Sequence, residues 1–93
     1  MTSEDKQNKN NQEKFNKENL NHAKLILFND DKNSFEYVIK SLMDLCAFEN
    51  TQAEQIAIIA HFKGKATVKT GDKLLIASLK EQLEEAGLIV EIG

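Results

Sequence analysis

The sequence predicts an α+β domain, a compact β-α-α-β-α-β sandwich of a small three-stranded sheet and three helices. Two observations lead to this fold class: short apolar runs with strand character alternate with longer runs of helical spacing, and capping residues or glycines separate them. The chain has 93 residues, which allows one small domain with a modest core.

The first element is predicted as a strand over residues 23–28, because the run is apolar and β-branched. It stops at the polar cluster Asn29-Asp30-Asp31. Asn and Asp commonly end strands by bonding to their own backbone, so this cluster has a purely structural interpretation as well as a functional one.

The first helix is predicted to begin at Asn33 as its N-cap and to end near Phe48. The side chain of Glu36, three positions later, is expected to accept a hydrogen bond from the backbone N–H of Asn33. Apolar residues recur along it at helical spacing. They are Phe35, Val38, Ile39, Leu42, Leu45 and Cys46.

The second helix is predicted from a capping box, Thr51 and Glu54, and from a left-handed stop at Gly64. It is short and rich in alanine. Its apolar positions are Ala53, Ile56, Ala57, Ile59 and Ala60.

The remaining elements are a strand over residues 65–69, a turn over residues 70–72, a helix capped by Asp72 that stops at Gly87, and a last strand over residues 88–92. We expect the helices to lie on one face of the sheet. The third helix carries Leu75, Ile76, Leu79, Leu83 and Ala86.

Residues 1–22 are predicted to be a disordered extension preceding a domain over residues 23–93. This extension is crowded with Asn, Gln, Lys and Glu and contains only Phe15 and Leu20 as large apolar groups, too few to offset backbone entropy. A purely solvated tail with no task is the plain alternative.

Charge and composition exclude several classes of function. The acids and lysines of the extension balance, so the net charge of −3 belongs to the domain, and we expect no nucleic-acid binding. No run approaches the roughly 20 apolar residues of a membrane span. The lone Cys46 forms no internal disulfide and fits a reducing cytosol, so we expect a cytoplasmic protein.

Two polar features carry possible chemistry, the Asn29-Asp30-Asp31 cluster and His61 late in the second helix. A histidine near a helix C-terminus also has a structural explanation, since it interacts favourably with the helix dipole. Each feature alone is weak.

Together these features resemble the ClpS family, adaptors that deliver proteins with bulky N-terminal residues to Clp unfoldase-protease machines. The resemblance lies in LILFNDDKNSFEYVIKSL followed by AEQIAIIAHFKGKA, from about Leu25 to Ala66. The combination of Asn-Asp-Asp, Glu-aromatic-Val-Ile and His-aromatic-x-Gly-Lys-Ala is specific. The resemblance implies an adaptor and not an enzyme, with no cofactor.

The resemblance also implies the binding residues. Asn29, Asp31 and His61 are expected to bind a free α-amino group, with Asp30 beside them contacting the peptide or the amine. An ammonium carries three divergent donors and needs acceptors on several sides. The hydrophobic pocket for the first side chain is expected to comprise Leu27, Phe28, Asn33, Phe35, Val38, Ala57, Ala60 and Leu88.

The chain departs from the family at positions that matter for specificity. Phe35 and Ala57 stand where the family usually carries Met, the first of which gates against branched side chains. We expect Ala57 and Ala60 to widen the pocket and Phe35 to fill part of it, giving a preference for large aromatic residues or Leu. For Val38 a plain core role is an equal alternative.

Docking to the unfoldase is the second departure. The family's acidic and lysine run after the position of Ala66 is missing, because this chain reads TVKTGDKLLIASLK. The disordered extension is then the candidate for engaging the Clp-family AAA+ unfoldase. We expect substrate proteins with hydrophobic N-terminal residues as the other partner, and a monomeric adaptor.

Other classes are weaker. A hydrolase needs a nucleophile with a positioned base, and no Ser or Cys motif accompanies His61. A metal site from Asp30, Asp31 and His61 is chemically possible but has no spacing pattern. The end of the chain, LKEQLEEAGLIVEIG, resembles the ribosomal stalk C-terminal domain, which shares this general fold. The alternative is therefore a ClpS-like or stalk-like interaction domain with a different ligand.

Overall fold

The computed structural model describes residues 21–93, so the predicted disorder of the N-terminal extension lies almost wholly outside the described residues. Within this part the order β-α-α-β-α-β is confirmed, with three strands and three helices. The elements are β1 (His22–Phe28), α1 (Phe35–Cys46), α2 (Asn50–Lys63), β2 (Lys65–Asp72), α3 (Lys73–Glu85) and β3 (Val90–Ile92).

β1 is the central strand of the sheet, whose order is β2-β1-β3, and it pairs antiparallel with both neighbours. Leu27 lies opposite Ala66 on one side and Val90 on the other. The register with β2 shifts between Leu25 and Ile26. A bulge of this kind bends the strand and increases its twist.

The core lies between one face of the sheet and the helices. Alternate residues of β1, starting with Ala23, are buried, as expected when a sheet packs helices on a single face. Removing this apolar surface from water is the main force that stabilises the domain. The largest fully buried side chains are Leu25, Leu27, Leu42, Ile76, Leu83 and Val90.

The helix starts differ from the prediction at two places. Ser34, not Asn33, is the N-cap of α1, and its side chain accepts a hydrogen bond from the backbone N–H of Tyr37. α2 begins at Asn50 after Glu49, which makes no side-chain capping bond, so the predicted box of Thr51 and Glu54 is wrong.

The ends of α2 and α3 follow the predicted glycines. Gly64 has a φ of 93° and its N–H bonds the carbonyl of Ala60, while Gly87 has a φ of 97°. Both values lie in the left-handed region that glycine adopts without steric cost.

The second and third strands differ in length from the prediction. β2 runs on through the predicted turn, because residues 70–72 pair with the start of β1, and Asp72 then caps α3 by accepting from Leu74 N–H. β3 begins only at Val90.

Three residues of the predicted apolar faces are exposed instead of buried: Phe35 of α1, Ile59 of α2 and Leu75 of α3. Helical spacing alone placed them on the inner face, but each lies at the margin of the stripe that meets the sheet.

Candidate functional site

A cavity of about 290 Å³ lies at the end of β1, between that strand and the helices α1 and α2. Its polar residues come from the loop after β1 and from the last turn of α2, and its apolar residues come from the three elements themselves. The lining consists of Leu27, Phe28, Asn29, Asp30, Asn33, Phe35, Val38, Ala57, Ala60 and His61.

Asn29 is the first residue after β1, and its backbone N–H donates to the carbonyl of Gly64 at 2.9 Å. This bond joins the end of β1 to the end of α2. The side-chain amide of Asn29 makes no hydrogen bond with any other residue of the described range, and Asn29 is exposed. It therefore offers an unused acceptor and two donors at the cavity.

Asp30 uses its carboxylate on its own loop. Oδ1 accepts from the backbone N–H groups of Lys32 and Asn33, both at 2.8 Å, and Oδ2 accepts from Asn33 Nδ2 at 3.1 Å. Burial alone would raise the pKa of Asp30, but these hydrogen bonds and the charge of Lys32 outweigh it, so the pKa lies below its ordinary value. Asp30 thus provides a fixed negative charge beside the cavity.

His61 lies in the last turn of α2, exposed to solvent, and its ring meets the ring of Phe62 edge-on with centroids 4.9 Å apart. The helix fixes where the ring projects, because the residue is anchored one turn before the stop at Gly64. Asn29 and His61, far apart in sequence, line the same cavity.

The apolar part of the lining includes two small residues of α2, Ala57 and Ala60, which we call the floor. It also includes one large aromatic residue of α1, Phe35, which we call the margin. Ala57 and Ala60 are buried alanines of α2, at 4% and 3% exposure, and leave room where larger side chains would fill it. Phe35 is the first residue of α1 and is 38% exposed. The cavity therefore has two small buried residues and one partly exposed aromatic ring in its lining.

Two residues predicted for the site lie outside the lining. Asp31 is exposed and does not line the cavity. Leu88 is buried in the main core, and its N–H donates to the carbonyl of Leu83 at 3.0 Å. It does not line the cavity in this structure.

Two side-chain to backbone hydrogen bonds that support the site are not predictable from the sequence. Asn33 Nδ2 donates to the carbonyl of Gly87 at 2.9 Å, and the hydroxyl of Tyr37 donates to the carbonyl of Ala86. These contacts join residues 54 and 49 positions apart, so no local pattern contains them.

Cys46 is partly buried, and burial raises the pKa of its thiol while Lys69 opposes the shift. Among residues 21–93 no cluster of three or more metal-ligating side chains is arranged to bind an ion. None of the helices in that range has the length and apolar character needed to cross a bilayer.

Comparison with known proteins gives one family and one fold. The family model for ClpS, described as the ATP-dependent Clp protease adaptor protein, matches residues 18–91. Agrobacterium tumefaciens ClpS2, solved bound to L-phenylalaninamide, superposes with a TM-score of 0.68 at 22% identity, covering 78% of this chain and 95% of that one. At this identity the similarity concerns the fold. No curated protein matches the chain.

Proposed function

We propose, from the premise that the chain belongs to the ClpS family of ATP-dependent Clp protease adaptors, that it binds the free α-amino group and bulky hydrophobic side chain of N-terminal degron residues. It delivers the proteins that carry them to a Clp-family AAA+ unfoldase-protease, acting as a cytoplasmic monomer. The observation that carries the proposal is the cavity that Asn29 and His61 line together with apolar residues of β1, α1 and α2.

The α-amino group binds at the polar side of the cavity. At neutral pH it is largely an ammonium, with a reference pKa of about 7.7 to 8.0. Asn29 and His61 supply neutral acceptors, and the carboxylate of Asp30 supplies the compensating charge. Asp31, exposed and next in sequence, contacts the peptide backbone beyond the first residue. Hydrogen bonds to a charged group contribute about 1.5 to 3 kcal/mol each.

The first side chain occupies the apolar part of the cavity. Burying a Leu or Phe side chain contributes roughly 1.5 to 3 kcal/mol. Two or three charge-assisted bonds add to this, and association costs at least about 4 kcal/mol of lost freedom, which leaves an affinity near the micromolar range or weaker. Reversible capture of this strength suits an adaptor that must release its cargo.

The preference for the first residue of the peptide follows from the sizes of Ala57, Ala60 and Phe35. Ala57 and Ala60 leave space for a long or flat side chain, while Phe35 narrows the entrance where a β-branched residue would carry its extra methyl group. Phe, Trp and Leu are therefore the preferred first residues, and Val and Ile are disfavoured.

The test is a calorimetric titration of the full chain with short peptides that begin with Phe and carry either a free or an acetylated amine. We expect binding of the free amine, loss on acetylation, and at least tenfold weaker binding by Asn29→Ala and His61→Ala. Leu74→Ala, an exposed change on α3, is the matched control and should bind like the wild type.

A further inference from the structure

Each end of the loop after β1 is hydrogen-bonded to a different turn that contains a left-handed glycine. We call residues 29–33 the rim loop. At its start, Asn29 N–H donates to Gly64 O at 2.9 Å, and at its end, Asn33 Nδ2 donates to Gly87 O at 2.9 Å. The two glycines end α2 and α3, so the loop spans the gap between these helix ends.

Asn33 links the Gly87 turn to the middle of the rim loop. The same Nδ2 that reaches Gly87 O also donates to Asp30 Oδ2 at 3.1 Å and lies 3.3 Å from Oδ1. A primary amide has two N–H donors, so the carboxylate of Asp30 and the carbonyl of Gly87 use both. No other side chain of similar size offers two donors in this geometry.

A second contact reaches the same turn but bypasses the loop. The hydroxyl of Tyr37, within α1, donates to the carbonyl of Ala86. Tyr37 does not line the cavity. It attaches the helix to the turn, whereas Asn33 attaches the loop, and the two contacts can be broken separately.

We propose that Asn33 is a positioning residue for recognition of the N-terminal amine: its amide clamps the rim loop between Asp30 and the Gly87 turn, and this fixes Asn29 and Asp30 over the cavity. The inference rests on the proposed function and assigns Asn33 a role distinct from lining the pocket. A loop without the clamp has to be ordered when the peptide binds, and that ordering weakens affinity.

Asn33→Asp removes the two N–H donors of residue 33 without changing the size of its side chain. Aspartate matches asparagine in size but donates no hydrogen bond, and it would face two acceptors, the Asp30 carboxylate and the Gly87 carbonyl. Asn33→Ala removes the donors without adding charge. Both variants should bind a free-amine Phe peptide about tenfold more weakly than the wild type, with Asn33→Asp the weaker of the two.

The experiment compares peptide affinity, thermal stability and NMR spectra of the full chain. Tyr37→Phe breaks only the helix contact and should stay within about twofold of wild-type affinity. In the wild type and in Tyr37→Phe, peptide saturation should shift the backbone amide resonances of Gly87 and Leu88, because the loop is joined to that turn. In Asn33→Ala this response should disappear, which a merely stabilising role would not produce.

Wild-type affinity in both Asn33 variants, or an unchanged Gly87 response, would overturn the assignment while leaving the adaptor function intact. If instead the wild type binds acetylated and free peptides equally, the proposed function itself fails. The two failures are therefore separable in one set of titrations.

Discussion

At the scale of the single residue, the hydrogen bonds of Asp30 differ most from those that the residue type predicts. A carboxylate beside a cationic ligand invites the interpretation of direct contact, but three of its four observed bonds at or below 3.3 Å join it to Asn33 and the fourth joins it to Lys32. It stabilises the loop and contributes charge. Asn29, whose side-chain amide makes no hydrogen bond with another residue of the described range, is therefore the residue that we propose to bond the amine directly.

The lowered pKa of Asp30 predicts an acid-dependent loss of stability. Because the pKa in the folded state lies below the ordinary value of 3.8, the ionised form stabilises the fold fully above that value, and this contribution disappears as the pH falls through the folded pKa. Asp30→Asn should be less stable than the wild type at neutral pH, and the difference should shrink in acid. Urea unfolding at a series of pH values measures it.

Asp44→Asn is the control for that series. Asp44 forms an exposed pair with Lys40, with a nitrogen–oxygen distance of 3.0 Å, and exposed pairs contribute little. Its stability should follow the wild type at every pH. A constant gap between wild type and Asp30→Asn down to the most acid point would contradict the role given to Asp30.

Phe35 carries the prediction on specificity. With the ring at the margin of the cavity, Leu should bind better than Ile as first residue, by about tenfold for a group of this size. Phe35→Ala should reduce this ratio to about threefold or less, because the entrance opens for β-branched side chains. Peptide titrations measure both ratios, and an undiminished preference in Phe35→Ala would show that the gate lies elsewhere.

How much of the site the sequence predicts depends on the kind of contact. Asn29 and His61 were identified because their residue types and order form a recognisable motif, and the structure brings them to one cavity. That Leu88 lies in the core and not in the lining could not be predicted, because a short apolar run does not reveal which face it buries. The bond from Asn33 to Gly87 was missed because hydrogen bonds across the fold leave no trace in local spacing.

At the scale of the element, capping accounts for both the successes and the errors. Asp72 was predicted to cap α3 and does so. Asn33 was predicted to cap α1, but its side chain is committed to Asp30 and Gly87, and Ser34 takes the position instead. Tertiary contacts thus override a local preference where a polar residue has two possible partners.

The same override explains the length of β2. Thr70-Gly71-Asp72 has the composition of a turn, yet these residues pair with His22, Ala23 and Lys24 of β1 and continue the strand. Pairing with a central strand satisfies their backbone groups and outweighs the local tendency of Gly and Asp to turn.

The cap of α3 allows a test of stability without binding. Asp72→Ala removes the acceptor for Leu74 N–H and should cost about 1 kcal/mol of unfolding free energy, with peptide affinity unchanged. Glu49→Ala, at the start of α2, is the matched variant, because Glu49 makes no side-chain capping bond. It should cost no more than a few tenths of a kcal/mol. Equal losses in chemical denaturation would contradict this account of the caps.

At the scale of the whole molecule, the core and the cavity overlap only in part. The buried core lies between the sheet and the helices, while the cavity lies at one end of β1, where α2 stops and the rim loop begins. Leu27 and Ala60 belong to both, whereas the polar lining residues and Phe35 lie outside the core cluster. Substitutions at those outer positions can therefore change the ligand without removing the main core. This arrangement suits the adaptor function proposed above, in which the residues around the cavity set the preference for the first side chain.

Delivery to the protease is tested on the whole chain. Degradation of a reporter that begins with Phe, by a Clp unfoldase-protease, should require the adaptor and should be lost without residues 1–20, while peptide binding persists because β1 from His22 onward stays intact. Full delivery by the shortened chain would contradict the role proposed for the extension and direct attention to the folded domain.

The central claim, that the cavity recognises a free N-terminal amine, is tested most directly by comparing one Phe-initiated peptide with its acetylated form. Acetylation removes the positive charge and two donors but leaves the side chain intact, so the apolar contacts are the same. We predict that the free peptide binds near the micromolar range and that acetylation weakens binding at least about a hundredfold. Equal affinity for the two peptides would contradict the account.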